Sequence, residues 1–154
     1  MTAIKILQGL LTPVIALLAI YIAWQQWQVN ERKYQLDLYE RRLRVYQEVV
    51  AFLRRVLRDF KPEITELQAF AASTAEADFI FDPDIPAYLD EIYKRALALR
   101  SANNQYRDMF QPVPPGYDHK KIVDEMHEQE MWFTDQLGAG ATKQKFKEYL
   151  DVRR

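Results

Sequence analysis

The sequence predicts an all-α protein in which an N-terminal transmembrane helix continues into a long helix that packs in a cytoplasmic antiparallel helical bundle. Three observations lead to this fold class. A stretch without ionisable residues lies near the start, from Ile6 to Trp24. The chain has neither glycine nor proline between Pro13 and Pro62. Apolar residues recur at helical spacing, and no run of period two indicates a strand.

The composition excludes several classes of function. The formal net charge is -1, so we expect no nucleic-acid partner. The chain has no cysteine, which excludes disulfides, thiolate zinc sites and cysteine nucleophiles. The segment GAGAT, residues 138–142, lacks the lysine and the preceding strand of a phosphate loop, and neither Ser73 nor Ser101 lies in a glycine-rich nucleophile elbow. We therefore predict that the protein is not an enzyme and has neither catalytic residues nor a cofactor.

Residues 6–27 are predicted to form the transmembrane helix. A bilayer core about 30 Å thick is spanned by roughly 20 apolar residues in a helix. Tyr21, Trp24 and Trp27 crowd the end of this segment, and such amphipathic rings favour the headgroup region. A buried core helix is rarely this long without charge. A cleaved signal peptide needs a small-x-small exit, whereas bulky Tyr21 stands two residues before Ala23.

Basic residues follow the predicted span and set its orientation. Lys5 stands alone before it, whereas Arg32 and Lys33 come soon after it and are joined by Arg41, Arg42 and Arg44. The positive-inside rule then predicts a short extracytoplasmic N-terminus, residues 1–5, and a cytoplasmic C-terminal domain. For a bacterial chain the membrane would be the inner membrane. We expect Arg32 and Lys33 to lie at the membrane interface, where each gains about 1 kcal/mol from anionic lipid.

Residues 28–61 are predicted to form a juxtamembrane rod helix. Its apolar residues are spaced alternately by three and four, which is the pattern of a helix-packing seam. The seam consists of Leu36, Tyr39, Leu43, Tyr46, Val50, Leu53, Leu57 and Phe60. Further apolar residues widen the stripe, namely Leu38, Val45, Val49, Phe52 and Val56. We therefore expect the rod helix to pack against more than one neighbour.

Residues 62–154 are predicted to complete the cytoplasmic helical domain. A second seam consists of Ile85, Leu89, Ile92, Ala96, Leu99, Asn103, Tyr106 and Phe110. The two seams have similar lengths, which favours an intramolecular antiparallel helix pair. A coiled-coil homodimer through the first seam is the alternative. We interpret Asn103 as a satisfied polar residue of the core edge, with a role in fixing register as the second possibility.

Shorter elements fill the rest of this domain. Pro62 is expected to open a new helical segment. Residues 79–81 belong to a connection and can plug the end of the helix pair. Asp118 is predicted to cap a third helix, which the segment 138–142 interrupts before a last short helix around Phe146.

Three blocks of the sequence are similar to a known family. The run "KYQLDLYERRLRVYQEVVAFL" contains K-x-x-L-x-L-[FY]-x-[RK]-R-x-x-V-[YF], "EADFIFDPDIPAYLDEIYKRA" contains F-[IL]-F-x-x-x-I-x-x-Y-L-x-E, and "FKEYL" matches a closing F-x-x-Y-L. In this order they resemble a family of small bacterial proteins with one N-terminal membrane helix. The resemblance implies a single-pass membrane protein and assigns no catalytic residue.

These observations predict an accessory or scaffold subunit of a membrane protein assembly. The expected partners are the lipid bilayer and either a membrane protein or further copies of the chain. A first alternative is a membrane-tethered metal-binding protein, because Asp124 and His127 share a helical face near His119 and Glu128. The bland interpretation of that segment is a charged helix surface, since facing carboxylates are lacking. A second alternative is a membrane-associated stress or defence component.

Overall fold

The computed structural model describes residues 2–108 and 110–151, with side chains described from Ile15 onward. The described residues form α1 (Thr2–Asp59), α2 (Ile64–Ser73), α3 (Ala77–Ile80), α4 (Asp84–Gln105), α5 (His119–Gly138) and α6 (Ala141–Phe146). No strand occurs in these ranges. The prediction of an all-α fold and a helical bundle is therefore confirmed.

Contacts within the chain define two units, Met1–Leu38 and Tyr39–Arg154, so the boundary falls inside α1. The described part of the first unit is a single helix. The second unit contains a hydrophobic core. Helices α2 to α6 and the second part of α1 contribute to it. Its fully buried larger side chains are Val45, Val49, Phe52, Leu53 and Val56 of α1, Leu67 and Phe70 of α2, Ile85, Ile92 and Leu99 of α4, Phe133 of α5 and Phe146 of α6.

Aromatic stacking joins α1 to α2 at the centre of this core. The rings of Phe52 and Phe70 are stacked with their centroids 4.3 Å apart, and both side chains are almost completely buried. Complete burial of a large apolar side chain contributes about 1.5–3 kcal/mol to folding. The core therefore provides the main stabilisation of the second unit.

The buried row of α1 lies beside the predicted seam rather than along it. Among the seam residues Leu53 is fully buried, while Tyr39, Leu43, Tyr46, Val50, Leu57 and Phe60 are half-buried. Leu36 is exposed. The centre of the packed face is formed instead by the widening residues Val45, Val49, Phe52 and Val56. A helix with several neighbours buries a broad stripe, so the residues at the middle of that stripe are covered most completely.

Helix α4 follows the second seam over most of its length. Ile85, Leu89, Ile92, Ala96 and Leu99 are buried in the core. The helix that packs most closely on α4 is α5, although α4 and α1 contribute to the same core. The predicted pairing of α4 with the rod helix is therefore corrected: α4 packs chiefly against α5 and shares the core with α1.

The second seam extends beyond the observed end of α4. The helix ends at Gln105, and Phe110 is 89% exposed. Two polar side chains accept hydrogen bonds from the following backbone: the Tyr117 hydroxyl from Arg107 N at 2.8 Å, and Asp108 Oδ1 from Phe110 N at 2.9 Å. Such local bonds compete with the helical ladder and favour a turn here.

Polar contacts fix several helix ends. Asn103 Nδ2 donates to the carbonyl oxygens of Phe60 at 2.8 Å and Leu99 at 2.9 Å, which satisfies this polar residue at the core edge. Phe60 follows α1 with a φ of 52°, a left-handed conformation that ends the helix. The predicted cap of α5 is confirmed, because Asp118 Oδ1 accepts from Lys121 N at 3.0 Å.

Candidate functional site

The described side chains at the start of α1 form an exposed apolar surface. The large apolar residues that are exposed between positions 15 and 29 are Ile15, Leu17, Leu18, Ile20, Tyr21, Ile22, Trp24, Trp27 and Val29, with exposed fractions from 49% to 68%. Successive residues of an α-helix are rotated by about 100°, so these positions surround about two-thirds of the helix, and the exposed Ala16, Ala19 and Ala23 occupy the remaining sector. We name this set the apolar collar.

The predicted transmembrane helix, residues 6–27, extends beyond the described side chains, because residues 6–14 lie outside them. Within the described part of the chain, no helix has the length and hydropathy needed to cross a membrane.

The predicted membrane-interface residues are all exposed. Tyr21, Trp24 and Trp27 belong to the apolar collar, and the Tyr21 hydroxyl accepts a hydrogen bond from Gln25 Nε2 at 2.8 Å. Arg32 and Lys33 are exposed on the next turns. No contact in the described residues conflicts with a position at a lipid interface, and none tests it.

Residues from all three sequence blocks meet in one cluster of the second unit. Arg42 comes from the first block, Phe81 from the second and Tyr149 from the third. The Arg42 guanidinium lies over the Phe81 ring at 5.7 Å and over the Tyr149 ring at 5.3 Å. Its Nε donates to the carbonyl oxygen of Ile80 at 2.8 Å. We name Arg42, Ile80, Phe81 and Tyr149 the arginine cluster.

Two carboxylates hold the tyrosine of this cluster. The Tyr149 hydroxyl lies 2.6 Å from Asp84 Oδ1 and 3.1 Å from Asp82 Oδ2. Burial and the hydrogen bonds to the two carboxylates raise the pKa of Tyr149 well above its ordinary value. The phenol therefore stays protonated and joins the C-terminal segment to the start of α4.

A second polar cluster lies in the core between α4, α5 and α6. The Tyr88 hydroxyl donates to Gln136 Oε1 at 2.9 Å and lies 2.7 Å from Thr142 Oγ1, and all three residues are buried. Burial raises the pKa of Tyr88 to about 12. The Lys145 ammonium lies 5.0 Å from the Tyr88 ring centroid. Because the buried polar atoms satisfy one another, we assign this cluster to stability.

An open groove of about 400 Å³ lies where α6 and the C-terminal segment meet α1. Its lining consists of Tyr46, Lys143, Lys147, Leu150 and Asp151. The Tyr46 ring packs against Phe146 with centroids 5.4 Å apart, which fixes α6 on α1. The segment 141–154 has five basic residues and two acidic ones, although the whole chain is slightly acidic. This α6 groove therefore combines two partly apolar side chains with a local excess of positive charge.

The segment that suggested a metal site does not converge on a common centre. The His119 ring lies tilted against the Tyr106 ring with centroids 5.6 Å apart, and Glu128 lies 3.7 Å from the Arg95 guanidinium. Asp124 and His127 are exposed on α5. In the part of the chain that the structure describes, no three histidine, aspartate or glutamate side chains are grouped so that they could hold a metal ion.

The three blocks were identified in the sequence, but their contacts in the arginine cluster were not predicted. The repeated aromatic residues in the second and third blocks were the available signal for the arginine cluster. The expected plug, residues 79–81, is divided: Phe81 is buried and Ile80 packs partly on the core, whereas Phe79 is 88% exposed. Neither the exposed Phe79 nor the α6 groove was predicted.

Comparison with known proteins gives no relative. No protein-family model matches the chain, no curated protein matches it, and no solved structure matches it. The family resemblance drawn from the three blocks therefore stays a prediction.

Proposed function

We propose that this chain is a single-pass membrane protein whose helical domain serves as an accessory or scaffold subunit. In this proposal residues 6–27 anchor the chain, and the second unit presents a folded surface to a membrane-protein partner or to further copies. The N-terminus would lie outside the cytoplasm and the second unit inside it, as the basic residues after the anchor suggest.

The apolar collar is the observation that supports this proposal most directly. A helix that is apolar on every side is stable only within a protein core or within lipid. The collar residues are about half to two-thirds exposed, so no core encloses them in the single chain. The sequence continues the same apolar character without an ionisable residue back to Ile6. Lipid is the environment that would cover such a surface at least cost.

The second unit supports the scaffold part of the proposal. Its core is continuous and its helix ends are fixed by side-chain bonds, so its surface has a defined shape. The arginine cluster ties α1 to the start of α4 and to the C-terminal segment. A rigid body of this kind can hold a partner at a fixed place without a reactive centre of its own.

Carbonate washing of membranes from cells that express the full chain tests the anchor. We expect the chain to stay in the membrane pellet, and its release in soluble form would overturn the proposal. A variant with Ile15→Lys, Leu17→Lys and Leu18→Lys should be released, because each lysine near the centre of a span costs about 2.5–3.5 kcal/mol. The matched control, Phe110→Lys with Val113→Lys, changes exposed apolar residues of the second unit and should remain in the pellet.

Cross-linking in native membranes, followed by mass measurement, tests the scaffold role. We expect a product heavier than one chain, formed with a membrane protein or with a second copy. A chain that gives only monomer at every cross-linker concentration would contradict this role.

A further inference from the structure

A strongly exposed phenylalanine marks one surface feature of the second unit. Phe79 lies on the one-turn helix α3 and is 88% exposed, although Phe81, two residues later, is buried. Glu76 and Asp78 flank it on the same turn, and neither side chain forms an ion pair among the described residues. Because its side chain is exposed, Phe79 does not contribute to the core. We name Phe79, Glu76 and Asp78 the acidic knob.

The α6 groove has the complementary properties. Tyr46 and Leu150 provide apolar surface, and the exposed Lys143 and Lys147 provide positive charge on successive turns of α6 and its extension. In the described residues neither lysine is ion-paired with a carboxylate. Asp151, the acidic residue of the lining, already has an interaction of its own. The volume of this open groove, about 400 Å³, is within the usual range for binding sites.

Buried ring contacts connect the segment that carries the knob to the α6 groove. The Phe81 ring, next to the knob, contacts the rings of Phe146 and Tyr149 with centroid distances of 5.5 Å and 5.1 Å. Phe146 packs in turn on Tyr46 of the groove. Two complementary features of one chain can pair twice across a two-fold axis, the commonest symmetry of homo-oligomers.

We propose that the second unit forms a two-fold homodimer in which the acidic knob of each copy docks in the α6 groove of the other. Phe79 enters the groove against Tyr46 and Leu150, while Lys143 and Lys147 face Glu76 and Asp78. A buried aromatic anchor supplies most of the affinity, and the opposite charges select the partner and its orientation. A second copy is the occupant because this one chain possesses both complementary halves. The inference does not depend on the membrane anchor.

The mass of the full chain in detergent, measured by sedimentation equilibrium over a range of concentrations, tests the dimer. The wild-type chain should be a dimer, and Phe79→Ala should weaken association at least tenfold. The matched control is Phe110→Ala, which removes an equally exposed phenylalanine outside the knob. It should leave the dissociation constant unchanged. Equal weakening of the dimer in both variants would overturn the proposal. A wild-type chain that stays monomeric at every concentration would also overturn it, even if added acidic peptides bind to that monomer.

Charge exchange separates this interface from association through the apolar collar. Asp78→Lys and Lys147→Asp should each weaken the dimer at least fivefold, and the chain with both substitutions should regain most of the lost affinity. A dimer insensitive to all these changes would assign association to another surface and would overturn the proposal. Because the assay is done in detergent, its result is independent of the carbonate test of the anchor.

Discussion

The apolar collar and the core of the second unit use similar residues in opposite ways. In the collar, leucines, isoleucines and tryptophans are 53% to 68% exposed. In the core, Val45, Phe52 and Leu53 of the same helix are completely buried. The exposure of apolar side chains thus changes along α1, although the whole element is one α-helix.

The difference follows from the residues between the apolar ones. Around the core segment, Arg44, Glu48 and Arg54 supply a charged face that water can solvate, so the apolar stripe turns to one side. In the collar no charged residue interrupts the apolar ones up to Asn30. A stripe requires protein neighbours, whereas an apolar surface on every side requires lipid or a large assembly.

The largest effect on stability is expected from a substitution in the core of the second unit. Phe52→Ala removes a fully buried ring stacked on Phe70 and should lower the free energy of unfolding by about 3–5 kcal/mol. Leu18→Ala, in the collar, should change it by less than about 0.5 kcal/mol. Urea unfolding in detergent, followed by Trp132 fluorescence with Trp24 and Trp27 replaced by phenylalanine, measures both. Equal destabilisation would show that the collar belongs to the same cooperative fold.

The arginine cluster should give the next largest effect. Arg42→Ala removes the bond to the Ile80 carbonyl and the contacts with the Phe81 and Tyr149 rings, which should cost about 2 kcal/mol. Arg44→Ala, two residues later on an exposed face, is the control and should cost less than about 0.5 kcal/mol. The same unfolding assay applies. Indistinguishable variants would refute a structural role for the cluster.

The buried tyrosine should make the second unit sensitive to alkali. Burial raises the pKa of Tyr88 from 10.0 to about 12, so the folded state holds this proton more tightly than the unfolded state. Its contribution is fully present below pH 10 and is lost as the pH rises through about 12. The urea midpoint should fall over this window, and less steeply in Tyr88→Phe. Parallel curves for the two proteins would contradict the assignment.

The smallest effect concerns the histidine segment of α5. His127 is exposed and has no bonded partner among the described residues, so His127→Ala should shift the melting temperature by less than a degree or two. Addition of Zn²⁺ or a chelator should not move the melting curve of either protein. A metal-dependent rise that the variant lacks would revive the metal-binding hypothesis.

The sequence was most informative where long helices obey spacing and capping rules. The uninterrupted chain from Pro13 to Pro62 predicted α1, and Asp118 marked the start of α5. The burial pattern of α1 was harder to predict. A row of apolar residues spaced by three and four has the same sequence pattern whether it lies at the edge or at the centre of a broad apolar stripe. Leu53 belongs to both rows, whereas Val49 and Phe52 became central only because α2, α4 and α6 surround this face.

Long-range contacts could not be predicted from the sequence. Arg42 and Ile80 are 38 positions apart, and Asp84 and Tyr149 are 65 apart, so no local pattern announces their bonds. Exposure of Phe79 also depends on the turn that α3 makes, since Phe79 and Phe81 are chemically identical. The end of α4 at Gln105 depends on the hydroxyl of Tyr117, which returns from the following loop.

Spin labels along the apolar collar test the central claim most directly, and the absence of cysteine makes each introduced label unique. Chains with Ile15→Cys, Leu17→Cys, Leu18→Cys or Ile20→Cys, reconstituted in vesicles, are compared for access to oxygen, which concentrates in lipid, and to a water-soluble nickel complex. We predict that all four labels, on different sides of the helix, favour oxygen. Preference for the nickel complex, or protection from both reagents on one side, would contradict the account.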